Sequence, residues 1–184
     1  MAAQQLATER ARRQRQHELS VARRFHTYLR ERGYRLGLPR LGDPNRREPD
    51  ALCTGPNGLV GIEVTCPYYD RAHAAASWAR PRLGTAAGHP SCDHPGGRSV
   101  AAPDSVLLDE LLALLDSKLG KAYRVPTYLV LDASHAELTS SDEAALFVPA
   151  LAYQRPAGSP IVGVFLALGR PLTNATDFFE IRPA

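Results

Sequence analysis

The sequence predicts an α/β fold, with a mixed central sheet flanked by helices on both faces. Three observations point to it. The chain opens with an amphipathic helical pattern, in which Leu19, Ala22, Phe25 and Leu29 recur at helical spacing. Two short apolar strands, expected at Ala51 to Thr54 and Leu59 to Thr65, flank a Gly55-Pro56-Asn57-Gly58 hairpin turn. Helical and strand patterns then alternate to the end of the chain. The predicted order is helix-strand-strand-strand-helix-strand-helix-strand, and 184 residues suffice for one domain, 1–184, with a sizeable core.

The first helix is expected from about Leu6 to Arg32, with Gly33 as its stop. Tyr34 to Leu41 reads as a first strand interrupted by Pro39, and Gly42-Asp43-Pro44-Asn45 as a turn. Residues 67–103 are rich in Ala, Pro, Gly and His and lack a sustained period. They are expected as a long irregular loop, with a short helix near Arg71–Trp78. A dense leucine stripe predicts a helix over 104–122, capped by Asp104 or Ser105. Thr127 to Leu131 is a buried-type strand, and Ser141 opens a further helix that runs until Pro149. Ile161 to Leu168 is a last core strand, and Phe178 to Ile181 adds an edge strand.

Composition narrows the function classes. Charged residues make up 22% and hydrophobic ones 44%, ordinary values for a soluble globular chain. No apolar run approaches the roughly 18 residues that span a bilayer, and the polar, basic start has no signal-like apolar segment. Cys53, Cys66 and Cys92 form no paired spacing, so a reduced, cytoplasmic protein without a membrane partner is expected. The net charge of +3 is unevenly spread: residues 1–47 hold twelve arginines against four acids, a net of +8. Such an arm suits a polyanion, although taken alone it reads more simply as a solvated helix face.

The residues with chemical potential begin at Glu48-Pro49-Asp50. An acid is a poor strand former, yet Glu63 sits between Ile62 and Val64. Glu63 and Thr65 are expected on one face of their strand, with Ile62 and Val64 on the other. A short hairpin brings Asp50 beside Glu63, and two carboxylates there suit Mg²⁺ or Mn²⁺. The plainer alternative has Asp50 capping a turn and Glu63 paired with Arg46 or Arg47. Glu18 lies on the inward stripe with Ala22, Phe25 and Leu29, placed either to join the metal as a third carboxylate or to pair with an arginine. Lys118 and Lys121 are the only lysines, and Lys118 continues the stripe Leu108, Leu111, Leu115. A compact ammonium there can neutralise a phosphate oxygen, or can equally well snorkel to solvent at the helix C-terminus.

Other candidates carry less. Asp132 ends a strand and either belongs to a site or caps the turn into Ser134. His89, Cys92 and His94, with His73 across the loop, leave a closed zinc site incomplete. Cys53 and Cys66 read as small core residues, and Tyr68, Tyr69 and Trp78 as aromatics packed under a loop rather than stacked on bases.

Taken together, Pro49-Asp50, the Glu63 of Gly-Ile-Glu-Val-Thr and the element order across about residues 10–135 resemble the PD-(D/E)xK, or restriction-endonuclease-like, nuclease superfamily. The resemblance implies a restriction-endonuclease-like core: a helix, a three-strand meander, a helix and a further strand. It implies Asp50 and Glu63 as metal-binding catalytic acids, Glu18 as the helix-borne acid of some members, and Lys118 and Lys121 as basic residues of the following helix. Thr65 departs from the pattern, standing where the motif lysine belongs. The superfamily tolerates migration of that lysine, and Lys118 is the candidate replacement. The expectation is therefore a Mg²⁺- or Mn²⁺-dependent nuclease, acting on DNA in preference to RNA. Arg12, Arg13, Arg23, Arg24, Arg46 and Arg47 are expected to grip phosphates, and the 67–103 loop to meet substrate, a protein partner or a second copy. The rival expectations are a catalytically inactive nuclease-fold module that binds nucleic acid or protein, and a structural protein of an assembly.

Overall fold

A computed structural model of the chain, describing residues 2–67, 103–134, 147–169 and 176–184, turns the N-terminal helical spacing into one long helix, α1 (Ala2–Glu31). Its buried stripe is Val21, Ala22, Phe25 and Leu29, positions that share a face at the helical period. Gly33, at φ +89°, then turns the chain in a left-handed conformation, and Tyr34 N–H donates back to the Leu29 carbonyl at 3.1 Å.

Six strands follow: β1 (Arg40–Leu41), β2 (Ala51–Gly55), β3 (Gly58–Thr65), β4 (Thr127–Asp132), β5 (Ile161–Gly169) and β6 (Thr176–Ile181). A second helix, α2 (Pro103–Leu119), comes between β3 and β4. The strands form one sheet in chain order, β1-β2-β3-β4-β5-β6. The first three make an antiparallel meander, β3, β4 and β5 run parallel, and β6 returns antiparallel. The architecture is a six-stranded mixed sheet with helices on both faces.

Strand alternation divides the core in two. On one face Ala51, Ile62, Val64, Val130, Phe165 and Phe178 pack against α1, with the Phe25 ring 4.7 Å from that of Phe165. On the other, Leu129, Leu131, Val164 and Leu166 meet Leu107, Leu111 and Leu115 of α2, together with Phe147 and Leu151.

Several boundaries differ from the sequence expectation. The first strand shrinks to Arg40–Leu41. Gly37 N–H still donates to the Thr54 carbonyl at 2.8 Å, but Pro39 has no N–H to continue the ladder. The second helix stops at Leu119 rather than 122, where Gly120 weakens helix propagation, so Lys121 sits just beyond its end. Residues 147–150 are helical and carry the turn past Pro149. The start of that helix at Ser141, most of the 67–103 loop, Tyr68, Tyr69, His73, Trp78, His89, Cys92 and His94 lie outside the described residues. Among those described, no helix is long and apolar enough to cross a membrane.

Candidate active site

Two glycines let the Asp50 segment close onto the sheet. A Cβ at Gly61 would lie 2.4 Å from Pro49 Cγ and 2.7 Å from Thr127 Oγ1, and one at Gly42 would lie 1.9 Å from the Pro49 carbonyl oxygen. Pro49 is buried in that gap, and Gly42 N–H donates to the Asp50 carbonyl at 3.0 Å. The antiparallel pairing of Ala51 with Ile62, continued by one residue, sets Asp50 opposite Glu63 on the same face. Val64 N–H donates to Asp50 Oδ2 at 2.9 Å.

Glu63 is 3% exposed. It faces α2, because its neighbours Ile62 and Val64 pack against α1, and Thr65, also buried, shares its side. Lys118, in the last turn of α2, donates from Nζ to Glu63 Oε1 at 2.5 Å, and Lys121 reaches the same oxygen at 3.1 Å. The Lys118 side chain is 16% exposed and that of Lys121 is 47%. The partners of Glu63 are thus the two lysines, while Arg46 pairs with Asp43 at 3.4 Å.

The electrostatics of the two acids diverge. Burial pushes the Asp50 carboxyl up to about 7, and the charges of Glu63 and Glu18 push the same way. For Glu63, burial also acts upward, but the ammonium groups of Lys118 and Lys121 outweigh it and hold the carboxyl below its ordinary value. Lys118 is raised: burial opposes its charge, and Glu63 beside it prevails. Glu18 stands close enough to act on Asp50, while its Oε1 accepts from Gln14 Nε2 at 2.8 Å. Among the described residues, the three carboxylates do not form a group with all ligand atoms within 4.8 Å of one another.

Tyr123 was not expected from the sequence, since it follows α2 in a stretch with no period. Its hydroxyl is buried beside the Glu63 carboxylate, close enough to interact with it but outside strict hydrogen-bond geometry. Burial raises its pKa, and the nearby charges of Glu63 and Asp50 raise it further.

The donor set suits a hard divalent cation. Val64 N–H takes Asp50 Oδ2, and the two lysines share Glu63 Oε1. Burial, with the charges of Glu63 and Glu18 acting the same way, keeps a proton on Asp50 near neutral pH, and a bound cation would favour the carboxylate instead.

The arginines are spread more widely. Arg12 and Arg23 are exposed and fall opposite the buried stripe of α1. Arg12 and Arg13 each bond Glu9 at 2.8 Å. Arg24 buries an Nε that has no partner among the described residues. Arg46 and Arg47 are exposed on the turn before Pro49, Arg47 at φ 55°. No protein-family model, curated protein or solved structure matches the chain, so geometry and chemistry carry the functional argument.

Proposed function

We propose that the chain is a metal-dependent phosphodiester hydrolase acting on nucleic acid, built on a restriction-endonuclease-like core. The observation that carries this reading is the Lys118 ammonium 2.5 Å from Glu63. It places a cation beside the second acid of the Pro-Asp…Glu-Val-Thr segment, whose own position 65 holds threonine. The order helix, antiparallel meander, helix, parallel strand supports the same reading.

Asp50 and Glu63 would hold Mg²⁺ or Mn²⁺, with Glu18 nearest to support Asp50. The bound ion would polarise the scissile phosphate and lower the pKa of an attacking water. Lys118 contributes a fixed positive charge for the phosphate oxygens as negative charge builds on them. Lys121, more exposed, orients the approaching phosphate. The Asp50 carboxyl, charged only above about pH 7 when no cation is present, exchanges its proton for the ion. Arg46 and Arg47, exposed beside Pro49-Asp50, and the exposed arginines of α1 hold flanking phosphates without reading sequence. The substrate class is DNA in preference to RNA.

Thr65 favours a second reading, a nuclease-fold module that binds nucleic acid without cutting it. One experiment separates them: cleavage and binding of labelled DNA and RNA with Mg²⁺ or Mn²⁺, for wild type, Asp50→Ala and Glu63→Ala. The enzyme reading expects cleavage by the wild type alone, with binding kept in all three. Binding without cleavage by any of them selects the module.

A further inference from the structure

The ends of β3 and β4 carry a second cluster, on the face opposite Glu63. Val64 and Val130 pack toward α1, and strand alternation puts Cys66 and Asp132 on that same side. There α1 lays His17 across them. His17 Nε2 lies 2.7 Å from Asp132 Oδ2 and 3.6 Å from Cys66 Sγ, and Cys66 Sγ lies 3.5 Å from Asp132 Oδ2. The His17 and Asp132 side chains are 4% and 0% exposed. Three segments distant in sequence thus converge on one point, with His17 and Asp132 buried and Cys66 partly exposed.

A thiol, an imidazole and a carboxylate allow two chemistries. In a nucleophile triad the acid holds one ring nitrogen while the thiol gives its proton to the other. Here Cys66 and Asp132 both face Nε2, which argues against a triad. A shared focus is instead what a metal ion requires. Bonds of about 2.3 Å to sulfur and about 2.05 Å to nitrogen or oxygen, at tetrahedral angles, give sulfur edges of about 3.5 Å and a nitrogen–oxygen edge of about 3.3 Å. The observed sulfur edges, 3.6 and 3.5 Å, match. The nitrogen–oxygen edge is shorter at 2.7 Å, as a hydrogen bond makes it, and opens by about 0.6 Å to take the ion.

We propose that His17, Cys66 and Asp132 bind a zinc ion. Thiolate and imidazole select Zn²⁺ over the hard cations suited to Asp50 and Glu63. Asp132 Oδ1 accepts the Ser134 N–H at 3.1 Å, which holds the carboxylate in place. Bound zinc ties α1 to the ends of β3 and β4 and stabilises the fold, because the site does not exist in the unfolded chain. The site stands whether or not the opposite face cleaves nucleic acid.

The test uses the full chain, stripped with a chelator and titrated with Co²⁺, then with Zn²⁺. The wild type is expected to show thiolate-to-cobalt charge-transfer absorption, abolished by one equivalent of Zn²⁺, and a rise in Tm with Zn²⁺. Cys66→Ser and His17→Gln are expected to lose both signals, while Cys53→Ser and Glu63→Gln keep them. Absence of the cobalt band from the wild type overturns the site, and that result needs no variant to fold. So does a band that survives Cys66→Ser.

Discussion

Lysine at position 118 does a task that arginine would do poorly. Its ammonium meets a single oxygen of a buried carboxylate, where the broad, planar guanidinium would need a second acceptor. Lys118→Arg is therefore expected to lower kcat about 10-fold or more and Lys118→Ala about 100-fold or more, with Lys121→Ala milder because that side chain is 47% exposed. Steady-state cleavage kinetics check the ranking. Asp50 yields a pH prediction for the metal-free protein. Its folded pKa, about 7, lies above the ordinary 3.8, so between these values the folded state holds more proton than the unfolded one. The contribution of Asp50 is fully present below the unfolded value and is lost as pH rises through about 7. Urea midpoints should show that loss in the wild type relative to Asp50→Asn, and parallel pH profiles would contradict it. Scarcity made Lys118 legible in the sequence, and an acid inside an apolar strand did the same for Glu63. His17 sat four residues before Val21 on the buried stripe, a signal present in the spacing. Tyr123 had none, because its burial depends on what α2 and β3 bring around it.

Elements carry the acids to each other. Pro49 seats itself over Gly61, so Gly61→Ala pushes a methyl into the proline ring and the Thr127 hydroxyl. That substitution is expected to displace Asp50 and lower Mg²⁺-supported cleavage about 10-fold or more, with circular dichroism showing a retained fold. Cleavage at the wild-type rate would sever the proposed link between Pro49 and the site. Leu111, fully buried on α2, anchors the helix that presents Lys118. Leu111→Ala is expected to cost about 2–5 kcal/mol in urea unfolding. The hairpin, both helices and the core strands were legible because period, turn residues and β-branched runs agreed. The strand expected at Tyr34 to Leu41 was overread: Tyr34 and Leu38 of its apolar alternation stay exposed, and Pro39 interrupts the hydrogen bonds that would define it.

Across the whole molecule the sheet separates the two clusters proposed as metal sites. Glu63 and its two lysines lie on the α2 face, and His17, Cys66 and Asp132 on the α1 face. Charge asymmetry was plain in the sequence, whereas the cross-sheet placement of the clusters was not, since it depends on the register of β3 against β4. The measurement that bears hardest on the proposed activity is single-turnover DNA cleavage by wild type and Lys118→Ala, in saturating Mg²⁺ and in chelator. Mg²⁺-dependent cleavage by the wild type, reduced about 100-fold or more in the variant with DNA binding nearly unchanged, is the predicted result. Equal rates for the two proteins, or no cleavage by the wild type, would contradict it.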